Sequence, residues 1–535
     1  MRISKLMATL GTAAAIGLAS FVSLTGPAAA ETVLNRGNGA EPESLDPHKL
    51  TGVPEANITY DLSEGLLVLS PKAEPAPGVA EKWDISDDGK TYTFHLRENA
   101  KWSNGDPVTA DDFVYSFRRA VDPATASDYA PILSVIQNAE AITKGEEKDL
   151  TKLGVQTVDP HTLKITLNAT TPYFLGLLTH SISFPVHKAT VEKFGDQWTR
   201  PGNSVTNGPY MMQEWTPQSR IVLVKNPNFW DAANIKIDKV IYYPTEDIAE
   251  ELKRFRAGEL DITYTVPSDQ IAWIKKNLPK QYHNHPYLGT YYYVINLTKE
   301  PLGSNLKLRQ ALSLAIDRKI LVDKITQAGQ LPAYSWVPPG IPGYDSAKTF
   351  DAGMSQAERE QTAKKLYSEA GYGPDKPLTI ELLYNTSENH RKIAIAIAAM
   401  WKKVLGVNTS LTNQEWKVYL DTRDKKAFQV VRAAWIGDYP DPSNFLDLFL
   451  SDAGNRNDAG YNNANFDSLM KKAAVTANPP ERAKLLHDAE QQFLNDVAII
   501  PIYTYTTLHL VADRVQGWVD NILDYQLTRY LSVKG

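Results

Sequence analysis

Hydrophobic and polar positions alternate most clearly between residues 80 and 118. Trp83 and Ile85, then Tyr92, Phe94 and Leu96, recur at every second position on either side of Asp87-Asp88-Gly89. Side chains of a strand point to opposite faces in turn, so this pattern predicts a β-hairpin. Asn104-Gly105-Asp106-Pro107 reads as a loop. Thr109 then starts Thr-x-x-Asp, a capping box ahead of a helix that carries Phe113, Tyr115 and Phe117.

Helical spacing dominates further on. From Asn305, Leu308, Leu312, Ala315, Ile316, Ile320, Val322 and Ile325 predict one long amphipathic helix stopped at Gly329. Ala357, Ala363, Leu366 and Ala370 give a weaker helix over 356–370, ended by Gly371. Residues 390–405 form a strongly apolar helix closed by Gly406. Asn478-Pro479-Pro480-Glu481 opens a helix that runs to about residue 494, with Pro inside its first turn. A strand follows over 497–503, and Pro501 puts it near a sheet edge or a bulge. Another short apolar strand covers 430–436. Stretches 72–78 and 338–343 are rich in Pro and Gly and read as loops. Strands alternate with helices in both halves, which argues for α/β domains.

The first thirty residues change the picture. Arg2 and Lys5 precede an apolar run over 6–24, Gly26-Pro27 breaks it, and Ala28-Ala29-Ala30 ends it before Glu31. This is the layout of a secretory leader removed by cleavage, with a membrane anchor as the alternative. No Cys stands near the cleavage point to carry a lipid, and the chain has none anywhere. A free, secreted, non-lipidated protein suits a periplasm between two membranes. No other stretch reaches the length of a membrane span. About 505 residues remain, which exceeds the size at which a single core stops growing and implies at least two domains. The formal charge of −6 becomes −8 once the two basic residues of the leader are gone. With no basic stripe, nucleic acid is not an expected partner. The 26 Tyr and 11 Trp supply broad surfaces with polar tips, as an adaptable cleft requires.

Several segments, taken together and in order, resemble one family. They are Glu-Ser-Leu-Asp-Pro-His at 43–48, Asp-Leu-Ser-Glu-Gly-Leu at 61–66 and Lys-Trp-Ser-Asn-Gly-Asp-Pro-Val-Thr-Ala-Asp-Asp-Phe-Val at 101–114. Asn-Gly-Pro-Tyr at 207–210, Leu-Arg-Gln-Ala-Leu-Ser-Leu-Ala-Ile-Asp-Arg at 308–318 and Asp-Tyr-Pro-Asp-Pro at 438–442 continue the series. The chain is similar over most of its length to the extracytoplasmic solute-binding proteins of the oligopeptide, dipeptide and murein-peptide branch. Asn-Gln-Glu-Trp at 413–416 and Arg-Ala-Ala-Trp-Ile-Gly-Asp-Tyr at 432–439 point to the oligopeptide group. The resemblance implies a two-lobed α/β fold of the periplasmic-binding-protein type (class II, large form) with three domains and a hinge. Domain I would take 31–63, 188–288 and 506–535, domain II 64–187 and domain III 289–505. It implies a monomeric, non-enzymatic receptor without cofactor, which hands a short peptide to an inner-membrane ABC permease.

A receptor for peptides of any sequence must use what all peptides share: a backbone and two charged ends. The resemblance places the counter-charge for the α-ammonium at Asp438, after the 430–436 strand. On spacing alone, Asp438 reads first as a solvated turn residue before Pro440 or a helix cap. Arg432 lies six residues earlier, on the same face of a continuous strand. Its planar fork suits the terminal carboxylate, with a structural ion pair as the alternative. His390, at the start of the 390–405 helix, and Arg423 are further candidates for a carboxylate. The resemblance also puts Trp416, Trp435, Tyr129, Tyr264, Tyr287 and Tyr292 on side-chain pockets. Tyr292 would point opposite to Tyr291 and Tyr293. Thr51, Val53, Ala434 and Gly437 are candidates for main-chain contacts. The chain departs from relatives at four positions: Gly289 and Ile436 replace a Cys pair, Asp424 replaces a His and Val294 an acid. A murein tripeptide is the main alternative ligand, and the same fold also serves nickel and haem. A secreted hydrolase is the more distant alternative, since no Gly-x-Ser-x-Gly, His-Glu-x-x-His or phosphate-binding glycine loop occurs. His283-Asn284-His285 is the one short pair that invites a metal reading, with a surface loop as its alternative.

Overall fold

The computed structural model describes residues 31–534. The proposed leader lies outside the described residues. The chain has a two-lobed α/β fold in which three larger sheets organise the helices.

The first sheet carries the strand Val33–Gly37 parallel to Lys239–Tyr243, followed by Arg220–Lys225 and Tyr210–Thr216 in antiparallel order. Leu34, Ile221, Leu223, Val240 and Tyr242 form the centre of its core. The second contains the expected hairpin, Ala80–Ile85 with Thr91–Leu96, extended by Thr162–Thr166 and Val155–Asp159. The helix Ala110–Val121 starts at the expected capping box, with Thr109 N–H donating to Asp112 Oδ2 at 2.8 Å. Its Phe113 and Phe117 share a core with Phe94 and Leu96. Ile85 is 49% exposed, because it ends an edge strand whose outer residues no element covers.

The third sheet has six strands in the order Leu331–Pro332, Ile499–Thr506, Pro286–Ile295, Val430–Ile436, Thr379–Asn385 and Asn408–Gln414. The first three pairs in this order are antiparallel and the two pairs made by Thr379–Asn385 are parallel. Strand alternation splits the three tyrosines, as expected. Tyr291 and Tyr293 enter the layer of Trp401, Ile393 and Ile397, while Tyr292 enters the layer of Trp336 and Phe493. The sheet is thereby buried on both faces. Pro501 sits inside this sheet, where a register shift between Tyr291 and Tyr292 absorbs it. Gly289 stands directly opposite Ile436, whose Cδ1 would collide with a Cβ at Gly289. The isoleucine occupies the space over the glycine, so these two replacements fit each other.

Three local expectations need correction. The single helix over 305–329 is broken into Leu306–Leu314, Arg318–Ile320 and a wider π turn over Leu321–Thr326. Asp317 accepts a hydrogen bond from Ile320 N–H at 3.0 Å and so starts a new helix instead of continuing the old one. The break also lets the buried Arg318 reach Pro501 O (2.7 Å) and Ser313 Oγ (3.0 Å). The stop comes at Gln327, in the left-handed region with φ of 54°, two residues before Gly329. Within the stretch 72–78, Pro75–Pro77 is a short strand paired with Leu67–Leu69. It tolerates proline because it is an exposed edge. The last long helix, Pro479–Asp496, is capped at Asn478 and runs slightly past the expected end.

That helix fixes the packing around the third sheet through Glu490. Its fully buried carboxylate accepts four hydrogen bonds, from Trp336 N (2.9 Å), Val337 N (2.8 Å), Tyr344 Oη (2.7 Å) and Ala347 N (2.9 Å). Replacing it leaves several buried donors unsatisfied, at about 1–3 kcal/mol each. Glu490→Ala should therefore lose at least about 3 kcal/mol of stability. Denaturant unfolding of the variant tests this, and a loss below about 1 kcal/mol contradicts it.

Candidate functional site

A cavity of about 360 Å³ opens between the segments near the first two sheets and the exposed end of the third. That is within the usual size of a small-ligand site. Thirteen of the fourteen residues picked out by sequence line it. Thr51, Val53, Tyr129 and Tyr264 come from one side. Tyr287, Tyr292, His390, Trp416, Arg423, Arg432, Ala434, Trp435 and Asp438 come from the side of the third sheet. Gly437 lies off the lining. Its N–H donates to Leu288 O at 2.7 Å, and Leu288 and Phe445 crowd its Cα.

The Val430–Ile436 strand carries the site because its far end, still paired with Pro286–Ile295 but past its pairing with Thr379–Asn385, lines the cavity. Asp438 follows it, only 8% exposed. Asn444 holds the carboxylate in place: its amide donates to Asp438 Oδ2 at 2.9 Å, and its oxygen accepts from Asp438 N at 2.9 Å. The same oxygen accepts from Trp435 Nε1 at 3.1 Å. The nearest basic group is His180, with Nε2 3.6 Å from Asp438 Oδ1. Burial lowers the pKa of His180, so it faces Asp438 as a neutral ring. Tyr129 stacks on His180 at 4.6 Å and lies over Trp435 at 6.1 Å, forming an aromatic wall.

Arg432 stands six residues earlier, inside the strand. It is 7% exposed. Its Nη1 donates to Asn385 Oδ1 (3.1 Å) and its Nη2 to Tyr505 Oη (2.6 Å), while Tyr291 lies against its face at 4.7 Å. Its Nε has no partner, and no carboxylate among the described residues reaches within ion-pair distance. A buried cation held only by neutral groups is an uncompensated charge. His390 lines the cavity beside it, with Nδ1 unpartnered. Burial, and then the charge of Arg432, push its pKa well below the ordinary value, so it is neutral.

Arg423 is placed differently from the expectation. Its Nε and Nη2 both donate to Asp458 Oδ2, so its charge is already matched. Asp424 lines the cavity next to it, with its pKa raised to about 6 by partial burial and by nearby Asp128. Val294 lies in the core, away from the cavity lining.

Polar contacts close the seam around the cavity. Trp416 Nε1 donates to Glu55 Oε1 at 3.3 Å, and Glu43 N–H donates to the same oxygen at 2.8 Å. Glu55 is fully buried, which raises its pKa to about 7. Asn389 accepts from Ser268 N at 3.0 Å and donates to Val266 O at 3.2 Å. Asn444, Tyr505, Asn385, His180, Glu55 and Asp458 are the functional-site residues that sequence reasoning missed. Each is neutral, or lies far along the chain from the residue it serves, so no local pattern marks it. His283 pairs with Asp520 at 3.1 Å, and no group of three or more His, Cys, Asp or Glu among the described residues is placed to hold a metal.

Residues 74–457 match the model of the bacterial extracellular solute-binding proteins, family 5 middle region. The chain is 48% identical to the periplasmic oligopeptide-binding protein OppA of Salmonella typhimurium, covering 91% of each chain. The structure superposes on the murein tripeptide-binding protein MppA of Escherichia coli with a TM-score of 0.92 at 42% identity, covering 94% of this chain and 99% of that one. Against the unliganded open form of that same protein, the TM-score falls to 0.66 at the same identity, with 94% and 98% covered. Identity and coverage barely change, so lobe arrangement accounts for the difference, and the lobes here are closed. OppA of Haemophilus influenzae in complex with the peptide RPPGFSPFR gives 0.91 at 38% identity, with 94% and 99% covered. The chain belongs to the bacterial extracellular solute-binding proteins of family 5.

Proposed function

We propose that this chain is a periplasmic receptor that closes around a short peptide and delivers it to an ABC permease of the inner membrane. The observation that carries this reading is the pair of opposite charges in one cavity. Asp438 faces a neutral histidine, and Arg432 has no carboxylate of its own. An extended zwitterion complements both: its ammonium meets Asp438, and its carboxylate meets Arg432 with Tyr505 and His390 nearby. Backbone groups and the aromatic wall hold the middle without demanding a particular side chain. Relatives named for oligopeptides support this, and the relative named for a murein tripeptide supports peptide cargo more broadly.

In this reading the first two sheets, as domains I and II, form one lobe, and the third sheet, as domain III, forms the other, within the boundaries given above. The leader is removed, the mature chain carries no lipid and acts as a monomer, and it catalyses nothing.

Asp438→Asn should weaken binding of an alanine tripeptide by about 1.5–3 kcal/mol, or roughly 10- to 150-fold, the value of a charged hydrogen bond. Calorimetry measures this, and an unchanged affinity rejects the assignment.

Closure also involves a proton. With the lobes apart, Trp416 leaves Glu55 and water reaches the carboxyl, so its pKa falls back from about 7 toward its ordinary value. The closed state therefore binds the proton more tightly, and a falling pH favours it. Peptide affinity should rise severalfold between about pH 7.5 and pH 5.5, bounded by one factor of ten per pH unit. Glu55→Gln should flatten that rise, as read by titration at both pH values. The same slope in both proteins excludes Glu55 as its source.

A further inference from the structure

The cavity holds more than one guanidinium, and which of them is free decides what a ligand may carry besides its two ends. Arg423 reaches the lining from the end of the helix Trp416–Asp424. Left alone it would be a second site for a carboxylate. It is not left alone: Asp458, 3% exposed, takes both Nε and Nη2 of Arg423 on one oxygen. The other two arginines of the lining are also engaged. Arg36 donates to Gln526 O (2.8 Å) and Thr528 Oγ1 (3.0 Å), beside the buried Asp61. Arg456 faces Asp128 and Asp447, where it works against the burial that raises both acids. Arg432 and Arg456 both line the cavity and each keeps an unpartnered Nε, but Arg456 is only half-buried and has two acids near it, whereas Arg432 is 7% exposed and has none. The acids do not balance this way. Asp424 adjoins the Arg423–Asp458 pair without a hydrogen-bonding cation, and Asp128 stands close to it.

We propose that Asp458 is a specificity-determining residue: by cancelling Arg423 it leaves the cavity one carboxylate site, at Arg432, and makes it discriminate against peptides that carry a further carboxylate on a side chain. This rests on the peptide reading given above. A ligand's extra carboxylate beside Arg423 meets a matched ion pair and two more acids, so it loses hydration and gains no partner. Neutral and cationic side chains suffer no such loss.

The test uses the mature chain and alanine tripeptides with a single Glu, Gln or Lys at each position in turn, measured by calorimetry. In the wild type, at least one position should show Glu bound about tenfold or more weakly than Gln, the size of one uncompensated charge contact. Asp458→Asn frees Arg423 and should bring that Glu/Gln ratio to within about twofold or reverse it. Arg423→Gln leaves Asp458 unmatched and should move the ratio the other way, with a gain for Lys. The double variant should return near the wild-type ratio. Because these are ratios between peptides, a general loss of stability leaves them unmoved. If Asp458→Asn does not fold, Arg423→Gln still decides. Tripeptide binding with no Glu/Gln discrimination, or ratios that ignore both substitutions, overturns this proposal alone. Absence of any tripeptide binding overturns the peptide reading and this proposal with it.

Discussion

The arrangement of the site depends on one buried cation that the protein does not neutralise. Arg432 sits inside a strand of the third sheet, largely out of water, and its contacts are an amide oxygen, a phenol and an aromatic face. Each stabilises a guanidinium without cancelling its charge. The uncompensated charge then acts on its neighbours. It adds to the burial that keeps His390 neutral, and it lowers the otherwise raised pKa of Tyr505 and Tyr291. An arginine kept this way is costly in the protein by itself, and the cost falls only when an anion arrives. That differs from the other arginines of the cavity, each of which has acids of its own.

The opposite end shows the same design with reversed sign. Asp438 is oriented by Asn444 through two hydrogen bonds, one in each direction, and the histidine near it is neutral. A charged histidine would satisfy Asp438 internally and remove the reason for a ligand to bind. Burial thus does two jobs at once: it turns off competing protein charges and strengthens the remaining ones by excluding water. Arg432 is placed by the strand, and Asp438, two residues past its end, is fixed by its hydrogen bonds to Asn444. The side-chain pockets between them are built from tyrosine and tryptophan, which adapt to many residues.

Much of this was legible in the sequence where the signal is local. Period-two alternation located the hairpin, and a short apolar run located the 430–436 strand. Capping residues located the helices starting at Ala110 and Pro479. The failure at residues 305–329 is instructive, because the apolar spacing there is truly helical. What breaks it is Asp317, which caps a new helix, and the break lets the buried Arg318 bond to Ser313 and to Pro501, nearly two hundred residues away. At the site, spacing alone favoured a turn or capping role for Asp438 and only the resemblance turned it toward binding, while Arg432 stayed open between binding and a structural ion pair. Arg423 shows the limit of such transfer. Its position was right, yet its charge is cancelled by Asp458, a residue thirty-five positions later that no periodicity connects to it. Gly437 lies off the lining, and its N–H is engaged in a backbone bond to Leu288.

The seam contacts tie ligand capture to lobe closure through adjacent residues. Asn389 bridges to the backbone at Val266 and Ser268, and the next residue, His390, faces the cavity near Arg432. Trp416 both lines the cavity and donates to Glu55. Each side of the seam therefore uses the same short segment for ligand and for closure. A ligand that orders the start of the Glu388–Leu405 helix also orders the residue that clasps the other lobe, and the reverse holds equally. No long pathway is needed for such coupling, since one residue separates the two functions. In the proposed peptide reading, a carboxylate is the ligand group that would relieve the unmatched charge of Arg432.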